Sequence, residues 1–473
     1  MKRNILFIFL IFLTLTVKSQ KVMWTYSTLT EPWNKGVSLN LKTATDQSDF
    51  TIYSNEKLQQ IEGFGACFNE LGWEALLSLS ETERTKILTE LFSKEGANFT
   101  LCRIPVASND YSLSYYSFND VAGDFKMRNF NIDRDRYILI PYIKAAKKIA
   151  PELKIWGSPW CPPAWMKVNE HYSMGTEGTK PRDSDLNAKR TIVNDATAFK
   201  MQDGYLEAYA LYLAKFIRAY EKEGIEIAEL HVQNEIIHIS QWPTCTWRAE
   251  DMAYFIGKYL GPRFKEEKLN SEIWLSTVNS ENPDYVRIVL KNKEAASYIK
   301  GIGFQWDAKR AIATIHNEYP DYRIMQTESE CGNGENNWGS AEYTWSLMNH
   351  YISNGANSYM YWNMVLDSSG TSTWGWRQNM LISITKETGE VKYNPEYYLM
   401  KHLSHHVLPG ANLLKTSGGK EHLAFMNPNG DVIVMYFNTD DNDKNINIAV
   451  DGKSLAVKIK GNSINTFTVD HSQ

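Results

Sequence analysis

Short apolar runs alternate with longer amphipathic stretches through most of the chain. Eight runs are rich in apolar or β-branched residues, and Gly, Asn, Pro or Asp bounds each of them, which is typical of strands. They lie at residues 60–67, 98–106, 154–160, 228–235, 272–279, 301–306, 323–328 and 357–364. Between them, apolar residues recur at helical spacing, most clearly from Leu206 to Tyr220. Further helical patterns lie near residues 135–149, 248–268, 341–354 and 395–406.

Alternation of strands with helices predicts parallel strands joined by crossovers. Eight such units favour a closed (β/α)₈ barrel over residues 58–406, because that fold takes about 250 residues or more. A doubly wound open sheet is the alternative. It is disfavoured because no glycine-rich phosphate turn follows the first predicted strand.

The two ends of the chain have a different pattern. Within residues 407–473, the runs DVIVMYFN, NINIAV and LAVKI read as strands, and Asn429-Gly430 and Asp451-Gly452 indicate hairpin turns. Residues 20–57 are also strand-like and lack a helical pattern. Since the barrel already has eight strands, we expect the two end segments to pair with each other in a side β-domain.

The first 19 residues have the layout of a secretory signal peptide. Lys2 and Arg3 precede an apolar run at residues 5–17, and Ser19 offers a small residue for cleavage. The run is shorter than the roughly 20 residues of a membrane span, and no cysteine follows it for a lipid anchor. A single membrane anchor is the alternative. We therefore expect a secreted or periplasmic protein without stable membrane insertion.

Composition excludes several other classes of protein. The 473 residues are 43% hydrophobic and 22% charged, which is a globular balance. The net charge of −5 gives no basic surface for nucleic acid. The five cysteines form no CxxC pair, so buried thiols are expected, with one disulfide left open. No HExxH or similar motif predicts a metal site.

The candidate chemistry lies at strand ends, because barrel enzymes carry their catalytic groups at the C-terminal ends of strands. The fourth predicted strand ends in His231-Val232-Gln233-Asn234-Glu235, and the seventh ends in Met325-Gln326-Thr327-Glu328. Retaining glycoside hydrolysis needs two such carboxylates about 5–5.5 Å apart, one to protonate the leaving oxygen and one to attack the anomeric carbon. This chemistry needs no cofactor. A strand-end carboxylate taken alone is equally compatible with a salt bridge.

Several segments resemble glycoside hydrolase family 30, the family of lysosomal glucosylceramidase, bacterial xylanases and β-1,6-glucanases. In the order of the family they are Gly63-Phe64-Gly65-Ala66, Phe68-Asn69-Glu70, Cys102-Arg103-Ile104-Pro105 with Ser108 and Asp110, SPWCPPAWMK at residues 158–167, VQNE at 232–235, QTE at 326–328 and YWN at 361–363. The resemblance implies a (β/α)₈ barrel fused to a β-sandwich built from both ends of the chain. It also implies retaining hydrolysis of β-glycosides, with a β-glucan polysaccharide or oligosaccharide as the substrate.

The resemblance assigns roles to individual residues. Glu235 matches the acid/base, and Glu328 matches the nucleophile. Asn234 matches the residue that hydrogen-bonds the sugar 2-hydroxyl, and Arg103 matches an arginine that keeps the nucleophile ionised. The other residues implied to bind substrate are Asp110, Trp160, Trp306 and Trp362.

Two departures from the family pattern bear on these assignments. Glucosylceramidase-like members have Glu-x-Cys after the seventh strand, and this chain has Glu328-Ser329-Glu330-Cys331. An alignment on Cys331 selects Glu330 as the nucleophile, with a poorer fit because the spacer is missing, and an alignment on Thr327 selects Glu328. The two carboxylates would share one face of a continuing strand, so parity does not decide between them. The sixth predicted strand ends in Gln305-Trp306-Asp307, where glucosylceramidases tend to have His and Tyr, and this disfavours a ceramide substrate.

The sequence as a whole, including residues 374–379, is most similar to the β-1,6-glucanase subfamily. An endo-β-1,6-glucanase is therefore the predicted function. The alternatives are a β-glucosidase or glucosylceramidase, a β-xylanase that reads glucuronic acid through Arg377, and a non-catalytic carbohydrate-binding barrel. Five tryptophans in or near the loops after strands four, seven and eight could either face sugar rings or pack the loops onto the barrel. They are Trp242, Trp247, Trp338, Trp374 and Trp376.

Overall fold

The computed structural model describes residues 21–43, 48–174 and 196–470. The predicted signal peptide at residues 1–19 lies outside these ranges and stays a prediction. Within the described ranges, no helix is both long and apolar enough to cross a membrane. The N-terminal described segment forms strands without a helix, as its pattern predicts. These strands are β1 (Lys21–Ser27), β2 (Asn34–Asn40), β3 (Lys42–Thr43) and β4 (Phe50–Gln60).

Eight parallel strands close into a barrel, which confirms the predicted (β/α)₈ fold. They are β5 (Gly63–Cys67), β6 (Leu101–Pro105), β7 (Lys154–Ser158), β8 (Ile227–His231), β9 (Glu272–Val278), β10 (Ile299–Gln305), β11 (Arg323–Glu328) and β12 (Ser358–Asn363). Each strand pairs in parallel with its neighbours in chain order, and β12 pairs with β5 to close the ring. The doubly wound alternative is therefore wrong.

Helices cover the outside of the barrel. They are α1 (Glu70–Leu77), α2 (Glu81–Phe92), α3 (Asp133–Tyr137), α4 (Leu139–Ile149), α5 (Asp203–Lys222), α6 (Ala249–Phe255), α7 (Gly261–Glu266), α8 (Asp284–Lys291), α9 (Lys293–Tyr298), α10 (Ile312–Glu318), α11 (Trp338–Ser353) and α12 (Pro395–His406). A π-helical turn, Ile256–Leu260, joins α6 to α7, so the predicted helix at 248–268 is nearly continuous. Helix α5 buries the predicted apolar face, including Leu206, Leu213 and Tyr220, because those positions recur on one side of the helix.

A small sheet extends the loop after the last barrel strand. It consists of β13 (Val365–Asp367), β14 (Ile382–Thr385) and β15 (Glu390–Tyr393). The remaining strands are β16 (Asn412–Ser417), β17 (His422–Met426), β18 (Val432–Asn438), β19 (Lys444–Val450), β20 (Lys453–Ile459) and β21 (Ser463–Val469).

The side domain is one ten-stranded sheet built from both ends of the chain, as predicted. Strand β1 pairs with β21, and β4 lies between β16 and β19. Strands from both halves of the sheet contribute to one core, which makes a β-sandwich. Strand β4 continues this sheet to Gln60, three residues beyond the predicted boundary at residue 57.

Strand β18 explains how the sandwich is attached to the barrel. Because successive side chains of a strand point to opposite faces, Val432, Val434 and Tyr436 enter the sandwich core. The alternate residues Ile433 and Met435 belong to the barrel's own core cluster. The continuous apolar run of this strand therefore reflects burial on both faces, and it fixes the two domains against each other.

Candidate active site

A cleft of about 260 Å³ lies at the C-terminal ends of the barrel strands. Its lining residues are Asp110, Trp160, Glu235, His238, Trp242, Asn279, Trp306, Asp307, Glu328, Trp376 and Gln378. Both predicted carboxylates are thus on one cleft, together with three of the six residues predicted to bind substrate. The lining includes four carboxylates and four tryptophans, a combination suited to uncharged polar rings.

Arg103 lies under this cleft at the centre of a hydrogen-bond network. Its Nη1 donates to Glu328 Oε2 at 2.6 Å and to the Thr327 carbonyl at 3.4 Å, and its Nη2 donates to Asn234 Oδ1 at 2.6 Å. The remaining N–H groups donate to Ser158 Oγ at 2.9–3.0 Å. The side chain is fully buried, and all five of its donors are therefore used.

Three tryptophan rings surround the Arg103 guanidinium. Its central carbon is 4.3 Å from the ring centroid of Trp160, 5.0 Å from Trp156 and 5.3 Å from Trp362. Such cation–π contacts favour the charge in a site that excludes water. The predicted position of Arg103 next to the proposed nucleophile is therefore observed, and its orientation is fixed on every side.

Glu328 reaches the cleft because the pairing of β10 with β11 is irregular. Phe304 pairs with Gln326, but the next residue, Gln305, pairs with Glu328. This bulge skips Thr327 and re-aims the end of β11. As a result Glu328 Oε2 faces Arg103, while Oε1 lies 3.4 Å from the indole nitrogen of Trp306.

Glu330, the alternative nucleophile, lies outside the cleft. One of its carboxylate oxygens pairs with Lys309 Nζ at 2.5 Å, and the other accepts from the Tyr343 hydroxyl at 2.5 Å. The strand ends at Glu328, so the shared parity expected for a continuing strand does not apply. Glu330 lines a separate surface depression beside the start of α11.

Glu235 lies four residues beyond the end of β8, whereas the sequence pattern extends that strand to residue 235. Its φ of +47° is in the left-handed region, which is uncommon for residues other than glycine and clusters at functional sites. The segment is fixed by backbone hydrogen bonds from Asn234 to Pro159 at 2.7 Å and from Glu235 to Thr277 at 3.1 Å. The neighbouring strands therefore set the direction of the Glu235 side chain.

The two proposed catalytic carboxylates share one amide donor. Gln305 Nε2 lies 3.3 Å from Glu235 Oε1 and 3.4 Å from Glu328 Oε2. The separation of these two oxygens cannot exceed the sum of the two distances. That limit applies to the nearer oxygen of each group, and it is compatible with the carboxyl spacing of retaining glycosidases, about 5–5.5 Å.

Burial sets the protonation of the acidic groups in the cleft. Desolvation raises the pKa of the Glu328 carboxyl, the Arg103 charge opposes this rise, and the charge of Glu235 adds to it. Desolvation and the charges of Glu328 and Glu235 raise the pKa of Asp110 well above its usual range. These effects favour the protonated form of Asp110, which can donate a hydrogen bond.

The remaining predicted substrate-binding residues occupy three depths. Trp306 is half-buried on the cleft wall, and its φ of +50° is strained for a bulky residue. Trp160 lines the floor of the cleft. Trp362 is fully buried beside Trp160, at a centroid distance of 5.2 Å, and does not line the cleft. Asn234 lies behind the wall, where its Oδ1 accepts from Arg103 and from the Thr277 hydroxyl at 2.8 Å.

The loop tryptophans divide between the two expected roles. Trp242 and Trp376 line the cleft with their centroids 5.4 Å apart. Trp374 is buried against Tyr115, Trp247 is buried against Phe199, and Trp338 packs on Phe437 of the sandwich. Position in a loop therefore does not separate sugar-facing rings from packing rings.

Arg377 does not line the cleft. Its guanidinium donates to the carbonyl oxygens of Ser369 at 2.9 Å and Gly334 at 3.2 Å, so it braces a loop. The five cysteines are all buried and free, as expected, and the disulfide left open by the sequence does not form. Within the described ranges, no cluster of three or more His, Cys, Asp or Glu side chains has a metal-binding arrangement.

The sequence analysis assigned no site role to five residues that line the cleft or link its carboxylates. They are His238, Asn279, Gln305, Asp307 and Gln378. A signal existed for Gln305, because it follows Gly301 and Gly303 at the alternate positions of one strand. His238 and Gln378 lie in long loops, where no periodicity indicates direction.

Comparison with known proteins gives a consistent set of matches. The profile described as the glycosyl hydrolase family 30 TIM-barrel domain matches residues 61–407. The profile of the family 30 beta sandwich domain matches residues 411–467. Together they span both domains described above.

Individual relatives are more distant. "Putative glucosylceramidase 1" of Caenorhabditis elegans is 30% identical over 84% of this chain and 78% of its own length. An endo-1,6-beta-D-glucanase of Aspergillus fumigatus is 27% identical over 87% of this chain and 85% of its own length. A solved endo-beta1,6-glucanase superposes with a TM-score of 0.80 over 95% of this chain and 99% of its own, at 24% identity, which supports the fold alone.

Proposed function

The chain belongs to glycoside hydrolase family 30, and we propose that it is a retaining endo-β-1,6-glucanase. The observation that carries this proposal is the pairing of Glu235 and Glu328 on one cleft, with a single amide donor between them. A shared donor of this kind is compatible with the short carboxyl spacing at which one carboxylate attacks the sugar itself, without a water molecule between them.

The proposed reaction is a double displacement. Glu235 protonates the glycosidic oxygen as the Glu328 carboxylate attacks the anomeric carbon, so the bond to the leaving sugar breaks and a glycosyl ester forms. Glu235 then takes a proton from water, which attacks the same carbon and releases Glu328. Two inversions leave the product with the β configuration of the substrate.

Arg103 and Asn234 support this chemistry. Arg103 stabilises the carboxylate form of Glu328, which is the nucleophilic form, against the effect of burial. The Oδ1 atom of Asn234 already accepts hydrogen bonds from Arg103 and Thr277, so its Nδ2 group is the donor left for the 2-hydroxyl of the sugar. Such a contact strengthens in the transition state.

The lining of the cleft supports a neutral glucan as the substrate. It contains Asp110, Asp307, Asn279 and Gln378 together with the rings of Trp242 and Trp376, which suits hydroxyl groups and flat sugar faces. A glucuronic acid side group would need a cation in the cleft, and Arg377 is committed to backbone carbonyls. These features favour a glucan over glucuronoxylan.

A β-glucosidase or glucosylceramidase is the second candidate, and the 30% identity to the nematode relative supports it. Against a ceramide substrate, the sixth barrel strand of this chain ends at Gln305 and is followed by Trp306 and Asp307, and Asp307 places an exposed carboxylate on the cleft. We further propose that the protein acts outside the cytoplasm, in keeping with the signal-peptide pattern of residues 1–19.

Product analysis on pustulan, laminarin, glucuronoxylan and glucosylceramide tests the proposal. A purified chain lacking residues 1–19 should release short β-1,6-linked oligomers from pustulan alone. Release of glucose alone from many β-glucosides would instead establish an exo-acting β-glucosidase, and cleavage of glucosylceramide or xylan would place the chain in another branch. No cleavage of any of the four would favour a non-catalytic barrel.

A further inference from the structure

One buried glutamine makes contact with both proposed catalytic carboxylates and with the amide of Asn234. Gln305 is fully buried at the end of β10. Its Nε2 lies 3.4 Å from Asn234 Oδ1, 3.3 Å from Glu235 Oε1 and 3.4 Å from Glu328 Oε2. It is thus the described side chain that joins the two carboxylates and the amide.

The sequence of β10 explains how the glutamine reaches this position. Residues 301, 303 and 305 alternate onto one face of the strand. A Cβ on Gly301 would lie 2.5 Å from the Trp274 ring, and one on Gly303 would lie 2.4 Å from the Ser276 carbonyl. The two glycines leave room for the interior of the barrel, and Gln305 is the next residue after them on this face.

The surroundings determine which end of the amide faces the carboxylates. The nearby oxygens of Asn234 and Glu328 are acceptors, and Glu235 Oε1 accepts when it carries no proton, so the NH₂ group of Gln305 faces them. On the other side, the Thr327 hydroxyl donates to Gln305 Oε1 at 2.9 Å. Reversing the amide would place its oxygen against the oxygens of Asn234 and Glu328, which accept.

We propose that Gln305 is a positioning residue that holds Glu235 and Glu328 at the spacing needed for double displacement. The proposal rests on the proposed function and assigns a residue to it. An amide is neutral at every relevant pH, so it can stabilise two facing carboxylates without adding a charge or exchanging a proton with either. Arg103 contacts only Glu328 of the two, so Gln305 is the link between the catalytic groups.

The measurable consequence is a change in the pH profile. Loss of a donor to a carboxylate disfavours its ionised form, so the group ionises at higher pH. Because Gln305 donates toward both carboxylates, its removal should move the acid limb and the alkaline limb of kcat/KM in the same direction. A residue that only fills space would lower stability without moving either limb.

The test compares Gln305→Met, which keeps the length of the side chain but has no donor, with Gln305→His, which keeps a donor. We expect Gln305→Met to lower kcat/KM on an aryl β-glucoside by about tenfold. Both limbs of its pH profile should shift to higher pH by about half to one unit. Gln305→His should lie closer to the wild-type profile. Thermal unfolding of each variant shows whether it is folded.

Gln326→Met is the matched control. Gln326 is a buried glutamine on the adjacent strand, where its Oε1 accepts from the Met360 backbone, and it does not contact either carboxylate. Gln326→Met should leave both limbs of the kcat/KM pH profile at their wild-type positions. The inference alone is overturned if the wild-type chain is active and folded Gln305→Met has unchanged limbs, or if Gln326→Met moves them equally. A wild-type chain that cleaves no β-glucoside would overturn the proposed function and the inference with it.

Discussion

The guanidinium of Arg103 donates to the carboxylate of Glu328 at 2.6 Å, and the exposed fractions of the two side chains are 0% and 7%. Two strands on different sides of the barrel, β6 and β11, are joined by this ion pair. A buried pair of this kind is costly to break, because the remaining charge loses its partner without gaining water. The pair therefore holds the Glu328 carboxylate in place, and the positive charge of Arg103 stabilises its ionised form.

Arg103→Lys should lower kcat/KM by about 100-fold. A lysine carries one ammonium group and cannot reproduce the planar fork that contacts Glu328, Asn234 and Ser158 together. Kinetics on an aryl β-glucoside, with circular dichroism to verify folding, would measure the effect. Activity within about twofold of wild type would show that the fork is dispensable.

Glu328→Ala should lower turnover by about 10⁴-fold or more, because the nucleophile is lost. Added azide should restore turnover and give the α-glycosyl azide, since the azide enters from the face left open by the missing carboxylate. Glu330→Ala is the matched control and should retain most activity, because Glu330 pairs with Lys309 and Tyr343 away from the cleft. If Glu330→Ala is the inactive variant, the assignment of the nucleophile is wrong.

Glu235→Ala should affect substrates according to their leaving groups. Loss of the general acid should cost about 10²–10⁴-fold on pustulan, whose leaving alcohol needs a proton. A dinitrophenyl β-glucoside needs no such help in its first step, and azide should convert it to the β-glycosyl azide. An equal loss on both substrates without azide rescue would argue against Glu235 as the acid/base.

Two neighbouring tryptophans should separate binding from stability. Trp376 is 37% exposed on the cleft, so Trp376→Ala should raise KM for pustulan by about five- to tenfold, as expected for one stacking contact, with an unchanged Tm. Trp374 is buried against Tyr115, so Trp374→Ala should lower the free energy of unfolding by about 3–5 kcal/mol. The opposite pattern would reverse the two roles.

His406 ends helix α12, and its Nδ1 lies 3.4 Å from the hydroxyl of Thr468 in the sandwich. This histidine should make the free energy of unfolding depend on pH. Burial, His405, Lys35 and Lys401 lower the pKa of His406 to about 3, while the unfolded chain takes up this proton near pH 6.5. The folded state therefore binds fewer protons between these values, and stability should fall as pH decreases through that window, by about 1.4 kcal/mol per pH unit. Burial raises the pKa of the Glu229 and Glu396 carboxyls to about 7, which acts in the opposite direction.

Comparison of variants isolates this histidine from the carboxyl groups. His406→Gln should make the decline of Tm between pH 6.5 and 5 shallower than in the wild type, since the carboxyl contributions are common to both proteins. His350→Gln, at an exposed histidine on α11, is the control and should leave the slope unchanged. Parallel Tm curves for His406→Gln and wild type would refute the effect.

The sequence predicts the barrel well because each strand has the same signature, an apolar run bounded by turn residues. It predicts the sandwich less directly, since β18 has no alternation when both of its faces are buried. The positions of Arg103, Glu235 and Glu328 follow from motifs. Their exact directions do not, because a bulge turns Glu328 inward and a left-handed φ turns Glu235.

Other features of the site depend on contacts between distant segments. Trp374 and Trp376 lie two residues apart in one loop, and the sequence does not distinguish them. Trp374 packs against Tyr115, which belongs to another loop, and is buried there. Gln305 is similar, because its importance comes from where β8 and β11 place their carboxylates. Periodicity indicates which face a residue occupies, but not which groups from other strands meet it there.

Trapping of the glycosyl-enzyme tests the central claim most directly. The chain would be incubated with a 2-deoxy-2-fluoro-β-glucoside that carries an activated leaving group, and the labelled peptide would be sequenced by mass spectrometry. The account predicts time-dependent inactivation with one sugar esterified to Glu328. A label on Glu330, or cleavage of β-glucans with inversion and no label, would contradict it.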